Sequence, residues 1–463
     1  MKFFYKKHFS PKSISAKYFS QIVLAVLLSL TVLINVSCAS ETASFSSGSF
    51  NVPADFTGLV HAGGTKTNKE FSYLEYMGVN WVLQTFYWSS IEPEQGEWFF
   101  HDYDLLVDKA VAAGVKVIGV LAYDNWWIHD DKDTHRYIPP EKLPDYLEYV
   151  RKTAEHFQGR IGAWCIWNEP NFHFWNGTNE EFFELMRQAA DVVKETDSEA
   201  ILLGGAFNRG ILGLPEKFIR GLFESGAMDK ADAVAFHPYE LNPARTLSLY
   251  NQFKSITDDY GFADKIWITE VGYPTGGWYP TKVREKNLPE YFIKTWVLLA
   301  AAGSNKMFWY QLFDPNTRSG KDSEDYFGLV RSRRDYTSKG AEAFRLCAKY
   351  LSGSVCYAQI HEQTLSINDA PVIAPAGTSA SAHASTSASV PKSIRSFWFK
   401  GTGGGALVIW NEGSGSKEIS LQLPGASHMQ HDVVSGSASP IPANVSLKAG
   451  SVPVFVTWQD AEF

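Results

Sequence analysis

From residue 57 onward the sequence repeats one unit eight times: a short apolar, strand-like run followed in most cases by a stretch whose apolar positions recur with helical spacing. The strand-like runs are 57–61, 80–86, 116–122, 161–168, 200–206, 233–237, 265–270 and 306–312; helical spacing shows best in 103–113, 143–157, 180–195, 215–225, 247–260 and 289–302. Runs that are apolar throughout read as parallel strands buried on both faces, and the helices between them are the crossovers such a sheet requires. Eight such units over roughly 290 residues predict an α/β fold, a (β/α)8 TIM barrel, whose functional groups gather at the C-terminal ends of the strands.

After about residue 350 the pattern changes to short alternating strands (396–400, 406–411, 417–423 and 453–458) separated by Gly and Ser, which predicts a small C-terminal antiparallel β-sandwich domain over 350–463. Within it, 371–391 is low-complexity Ala/Ser/Thr and reads as a disordered loop. A length of 463 residues, 45% of them hydrophobic and 14% aromatic, suits a barrel with an appendage and excludes a single small module.

The first 37 residues carry five Lys and no acid, and 22–34 is an apolar run too short to span a bilayer comfortably. This predicts a signal peptide over 1–37, a Ser-rich flexible tether over 38–52, and a catalytic barrel over 53–349. The protein is expected to be exported, to the periplasm or cell surface. Val36-Ser37-Cys38 suits a lipoprotein signal with Cys38 acylated, and small residues there suit plain cleavage near Ala39 equally. Beyond the leader, 37 basic side chains face 50 acidic ones, a balance that repels phosphate backbones and anionic lipid, so no nucleic-acid partner is expected and membrane contact only through a lipid on Cys38. The four cysteines form neither a disulfide framework nor a metal spacing; Cys347 and Cys356 are either bridged or separate buried thiols.

Two strand ends concentrate the chemistry. The fourth run closes with Trp164-Cys165-Ile166-Trp167-Asn168-Glu169-Pro170-Asn171 and the seventh with Ile266-Trp267-Ile268-Thr269-Glu270-Val271-Gly272-Tyr273. A carboxylate is costly to bury, so a Glu where an apolar parallel strand stops has either a partner, as a helix cap or in an ion pair, or a function. Two of them on the functional face of one barrel favour function.

Trp167-Asn168-Glu169-Pro170 on strand four with Ile268-Thr269-Glu270 on strand seven, 101 residues apart in the two glutamates, resembles the retaining glycoside hydrolases of clan A. Trp88-Ser89-Ser90-Ile91-Glu92-Pro93, Gly96-Glu97-Trp98 and Tyr103-Asp104 look most like family 39, with family 5 as neighbour, and the small C-terminal β domain is similar to the one family 39 members append. The resemblance implies retaining hydrolysis of a β-linked glycan or oligosaccharide, with Glu169 as acid/base and Glu270 as nucleophile. Their environments are then expected to push the pKa values apart, Glu169 upward and Glu270 downward. It further implies that Asn168 binds the sugar 2-hydroxyl, that Tyr239 of His237-Pro238-Tyr239 hydrogen-bonds the nucleophile, that His237 borders the site, and that Trp309 floors the sugar site; a bond to its own backbone for Asn168, a satisfied buried imidazole for His237 and core packing for Trp309 stay open as alternatives. No cofactor and no metal are implied.

Aromatic residues cluster after the strands: Trp88, Trp126, Trp127, Trp175, Trp278 and Tyr279. Sugar rings present flat C–H faces, so Trp88, Trp126 and Trp127 are candidate sugar contacts, with loop packing as the alternative for each. His61 is a candidate hydroxyl ligand, and Asp124 either binds a hydroxyl or caps a turn. Two other classes stay open: a metal-dependent barrel hydrolase, although no His-x-His ends strand one, and a non-catalytic surface glycan-binding lipoprotein using the same cleft.

Overall fold

Eight strands, Thr57–Val60 (β1), Trp81–Tyr87 (β2), Lys116–Ala122 (β3), Ala163–Ile166 (β4), Ile201–Asn208 (β5), Ala233–His237 (β6), Ile266–Val271 (β7) and Lys306–Tyr310 (β8), form a closed parallel barrel in the computed structural model. β1 closes it against β8, with Thr57 opposite Met307 and Val60 opposite Tyr310. The described residues are 49–60, 68–210, 213–278, 282–314, 322–331, 336–358, 373–375 and 393–460. The leader expected over 1–37, Cys38 and His61 therefore lie outside them. Among the described residues no helix is long and apolar enough to cross a membrane.

Outside the barrel run Asn68–Met77 (α1), His101–Ala112 (α2), Leu143–His156 (α3), Asn179–Thr196 (α4), Glu216–Glu224 (α5), Pro243–Asp258 (α6), Leu288–Ala301 (α7) and Lys339–Tyr350 (α8). α4 illustrates why they form. Thr178 Oγ1 accepts from the Glu181 amide while Glu181 Oε2 accepts from the Thr178 amide, a capping box that satisfies donors the first turn leaves open. Phe182, Leu185, Met186, Ala189, Ala190 and Val193 then form one buried stripe at three- and four-residue spacing.

The barrel interior is filled by side chains. At the N-terminal end Trp81 and Trp267 meet edge to face at 5.3 Å, with Lys306 Nζ over both rings, and Asp55 accepts from Lys306, Lys116 and the Trp81 indole. Further up, Phe308 and Trp164 occupy space that only Gly58 and Gly119 leave open, since a Cβ at either position would stand 2.4 Å from the ring. Lys306, Phe308 and Tyr310 thus face inward along β8, and Met307 and Trp309 face the helices.

The C-terminal domain is a β-sandwich. Val355–Ala358 (β9), Ile394–Gly401 (β11), Gly404–Asn411 (β12), Ala426–His431 (β14), Ala438–Pro440 (β15) and Val454–Gln459 (β17) lie in one antiparallel sheet, and Ile373–Pro375 (β10), Lys417–Gln422 (β13) and Asn444–Ala449 (β16) in the other. Ile394, Trp398, Leu407, Ile409, Ile419, Leu421, Leu447, Val456 and Trp458 form the core between them. The larger sheet turns its other face to the barrel: Phe399 meets Trp296 of α7, Lys294 sits over Trp410, and Phe455 and His431 meet Tyr350 of α8.

The structure corrects two expectations. Ser49–Asn51, within the expected tether, forms a strand at the edge of the larger sheet, because its backbone finds a complete antiparallel partner in Val355–Tyr357. Ile373–Pro375, within the expected disordered loop, pairs with Ile419–Leu421; residues 376–391 lie outside the described set. Cys347 of α8 and Cys356 of β9 are two separate buried thiols.

Candidate active site

Each side chain of the site is aimed by a local departure from regular strand geometry. At the end of β4, Trp167 and Glu169 adopt φ of 65° and 46°, the left-handed region that non-glycine residues avoid. The turn is held from outside: the Trp167 indole donates to Phe174 O and the Glu169 amide donates to Ala206 O. Strain of this kind persists where surrounding contacts over-determine the backbone, and here it turns the Glu169 side chain into the barrel mouth. In β5 the register shifts between Gly204 and Phe207, and in β7 between Ile268 and Val271. Such irregularities re-aim side chains. The first brings Asn208 to Glu169; the second lets the consecutive residues Thr269 and Glu270 both reach the site.

The centre is two buried groups, Glu169 and His237, and one half-buried group, Glu270. His237 Nδ1 stands 2.7 Å from Glu169 Oε1 and 3.7 Å from Glu270 Oε2, and its Nε2 stands 3.0 Å from Thr269 Oγ1. Asn208 donates to the same Oε1 of Glu169 at 2.8 Å, and Tyr239 donates to Glu270 Oε2 at 2.9 Å. A carboxylate oxygen of Glu169, one of Glu270 and a ring nitrogen of His237 all lie within 4.8 Å of one another. That spacing would also suit a cation, but both ring nitrogens of His237 already have protein partners that a metal would displace.

The electrostatics depart from the expected order. Glu270 is not held low: burial pushes it up to about 7, the His237 charge pulls it back, and Glu169 pushes it up again. One hydrogen bond, from Tyr239, does not offset removing the carboxylate from water. His237 loses basicity to burial but gains more from Glu270 and Glu169, and ends above its ordinary value.

Asn168 is half-buried at the same strand end and donates to the Tyr123 hydroxyl at 3.1 Å, so its side chain faces the site rather than its own backbone. Other expected site residues are elsewhere. Trp309 is fully buried against Phe292 of α7 and Tyr273, on the helix side of β8, and cannot floor a sugar site. Strand alternation turns Tyr310 inward instead, with its ring 6.3 Å from that of Tyr239 and its hydroxyl donating to Glu324 at 2.8 Å. Trp88 is buried, stacked on Tyr149 and bonded through its indole to Glu92. Trp127 donates to Glu92 O and packs on Trp88; it and Trp126 beside it are both half-buried. Trp175 is buried in the loop after β4, and Trp278 is 75% exposed. Asp124 is buried and accepts from the amides of His135 and Arg136, with His129 Nε2 at 3.0 Å, so it fastens a turn.

No family model matches the chain. A curated β-xylosidase of Caldicellulosiruptor saccharolyticus is 37% identical over 76 residues, 14% of this chain; the chain spans only 15% of that relative's length. Among solved structures, a family 39 glycoside hydrolase from the gut symbiont Bacteroides cellulosilyticus WH2 superposes with a TM-score of 0.66 at 17% identity, covering 88% of this chain and 81% of the other. The fold is that of the clan A glycoside hydrolases. A monomeric β-xylosidase from Caulobacter crescentus CB15 (TM-score 0.61, 11% identity, 89% and 98% covered) and a family 30 subfamily 8 xylanase from Clostridium acetobutylicum (0.59, 12%, 90% and 100%) share it. The expected barrel with an appended β-sandwich is borne out, and the likeness to clan A and family 39 is borne out in the fold.

Proposed function

We propose that this chain is a retaining glycoside hydrolase that cleaves a β-linked glycan or oligosaccharide by double displacement. The observation that carries the reading is the approach of Glu169 and Glu270 to within 4.8 Å. A retaining pair stands about 5–5.5 Å apart, whereas inversion needs roughly 6.5–9.5 Å to admit a water between carboxyl and sugar.

In this reading Glu270, held by Tyr239, attacks the anomeric carbon as Glu169 gives its proton to the leaving oxygen. Glu169 then takes a proton from the water that releases the sugar. Asn208 and His237 position the Glu169 carboxyl. The productive form has Glu270 ionised with a proton on Glu169. Asn168, Tyr310 and Trp126 are the side chains proposed to meet the sugar. The basic, apolar leader supports export to the periplasm or cell surface, with Cys38 as a lipid anchor tested by labelled fatty-acid incorporation into wild type and Cys38→Ser.

The test of the roles is chemical. Glu270→Ala should abolish turnover of aryl β-glycosides and regain it with azide, giving a glycosyl azide of inverted configuration. Glu169→Ala should spare substrates with activated leaving groups. Identical responses of the two variants to azide and leaving group would sink the assignment, and wild type that binds glycans without turning any over would favour the binding-protein alternative.

A further inference from the structure

Among the described residues, one cation at the edge of this site has no counter-charge. The Arg136 guanidinium lies 3.7 Å over the Tyr123 ring and 5.7 Å from that of Phe174, and among the described residues it makes no ion pair. Arginines after β5 and β8 are neutralised, Arg209 by Glu240 and Arg331 by Asp314. Arg136 is half-buried, in a chain with an excess of acid, where an unpaired guanidinium would ordinarily find a carboxylate.

Its position is built. Buried Asp124 accepts from the amides of His135 and Arg136 at 2.5 and 3.1 Å, and the Arg136 carbonyl accepts from the Asn176 amide at 2.9 Å. The residue takes a left-handed φ of 54° in this clamp. Asp124 is thus engaged by the two backbone amides and by His129, and the guanidinium is laid on Tyr123, whose hydroxyl is 3.1 Å from the Asn168 amide next to Glu169. His173 feels both charges: burial lowers its pKa first, then Glu169 raises and Arg136 lowers it. A rigidly stacked guanidinium presents its donor edge to a planar or tetrahedral oxyanion, and stacking on an aromatic face excludes water from one side of it.

We propose that Arg136 is an anion subsite on the Glu169 flank of the cleft, and that the glycan taken by this protein carries a negatively charged group, a uronate carboxylate or a sulfate ester, on a sugar next to the cleaved bond. The net negative charge of the chain opposes such a substrate at long range, so recognition rests on this local contact. The inference rests on the hydrolase reading and deepens it.

The experiment measures kcat/KM on matched β-linked disaccharides that are neutral, uronate-bearing or sulfate-bearing, for wild type, Arg136→Lys and Arg136→Gln. Wild type should favour one anionic member over the neutral one by about tenfold or more at low salt, the size of one charge-assisted contact, and added salt should shrink the ratio. Arg136→Gln should bring the ratio near one and Arg136→Lys leave it between; the preferred arm identifies the anion. A wild-type ratio at or below one in both arms, or a ratio unchanged in Arg136→Gln, overturns the proposal. Calorimetric titration of the same anionic disaccharides into wild type and Arg136→Gln separates it from the hydrolase reading. Binding lost in the variant upholds the subsite even where nothing is turned over, and equal binding defeats it.

Discussion

His237 Nδ1 stands 2.7 Å from Glu169 Oε1, so one imidazole buried at the end of β6 sits between the two carboxyl groups of the site. Its charge is the chief influence drawing Glu270 down from the level that burial imposes. His237→Asn should therefore leave Glu270 protonated to higher pH. The acid limb of kcat/KM, expected near pH 7 in wild type, should move upward, and the rate at its plateau should fall roughly 10- to 100-fold. An acid limb that stays in place would show that Glu270 does not titrate on that limb.

Glu324 acts on the same carboxyl with the opposite sign. It accepts from Tyr310 at 2.8 Å, and its charge helps raise Glu270. Glu324→Gln removes that repulsion, so the acid limb should shift to lower pH. The two pH profiles, measured together, must diverge from wild type in opposite directions.

The inward and outward sides of β8 make separable predictions. Trp309→Ala removes a fully buried indole packed on α7 and should cost about 3–5 kcal/mol in denaturant unfolding. Tyr310→Phe keeps the ring and should change stability by less than about 1 kcal/mol while lowering kcat/KM through the lost bond to Glu324. A Trp309→Ala variant of undiminished stability would contradict the assigned packing.

At the far end of the barrel, burial alone would raise Asp55, but its bonds to Lys306, Lys116 and Trp81 outweigh burial and bring it down to about 2. A depressed carboxylate adds stability that is present above its unfolded pKa, near 3.9, and is lost as pH falls through about 2. Asp55→Asn should cost roughly 1–2 kcal/mol at pH 7, discounted for partial exposure, and its midpoint should converge on wild type between about pH 4 and pH 2. Urea melts across that range check it.

The barrel was legible because eight apolar runs in alternation with helices admit few other closures, and Glu169 and Glu270 because a carboxylate ending such a run is rare on physical grounds. Trp309 was misplaced by one residue: a strand buried on both faces carries no polar alternation to say which side is inward, and the inward residue proved to be Tyr310. Asn208 was missed because the β-bulge after Gly204 carries strand five past Ala206 and re-aims the side chains beyond it. Glu324 reaches the site from a loop far along the chain, and nothing local marks it. Trp88 and Trp127 cluster like sugar platforms, yet they and Glu92 hold one another in the wall of the barrel.

The edge strand Ser49–Asn51 has a consequence for how the chain is made. Its partner Val355–Tyr357 lies more than half the chain downstream, beyond the whole barrel. During synthesis the ribosome releases all eight barrel strands before that partner emerges, so Ser49–Asn51 waits as an open edge while the barrel assembles. Contacts of such sequence separation form late, and this one joins the entrance of the barrel to a strand beyond its exit. The interval between the emergence of residues 49–51 and that of residues 355–357 thus sets how long a folding chain exposes that edge to its neighbours.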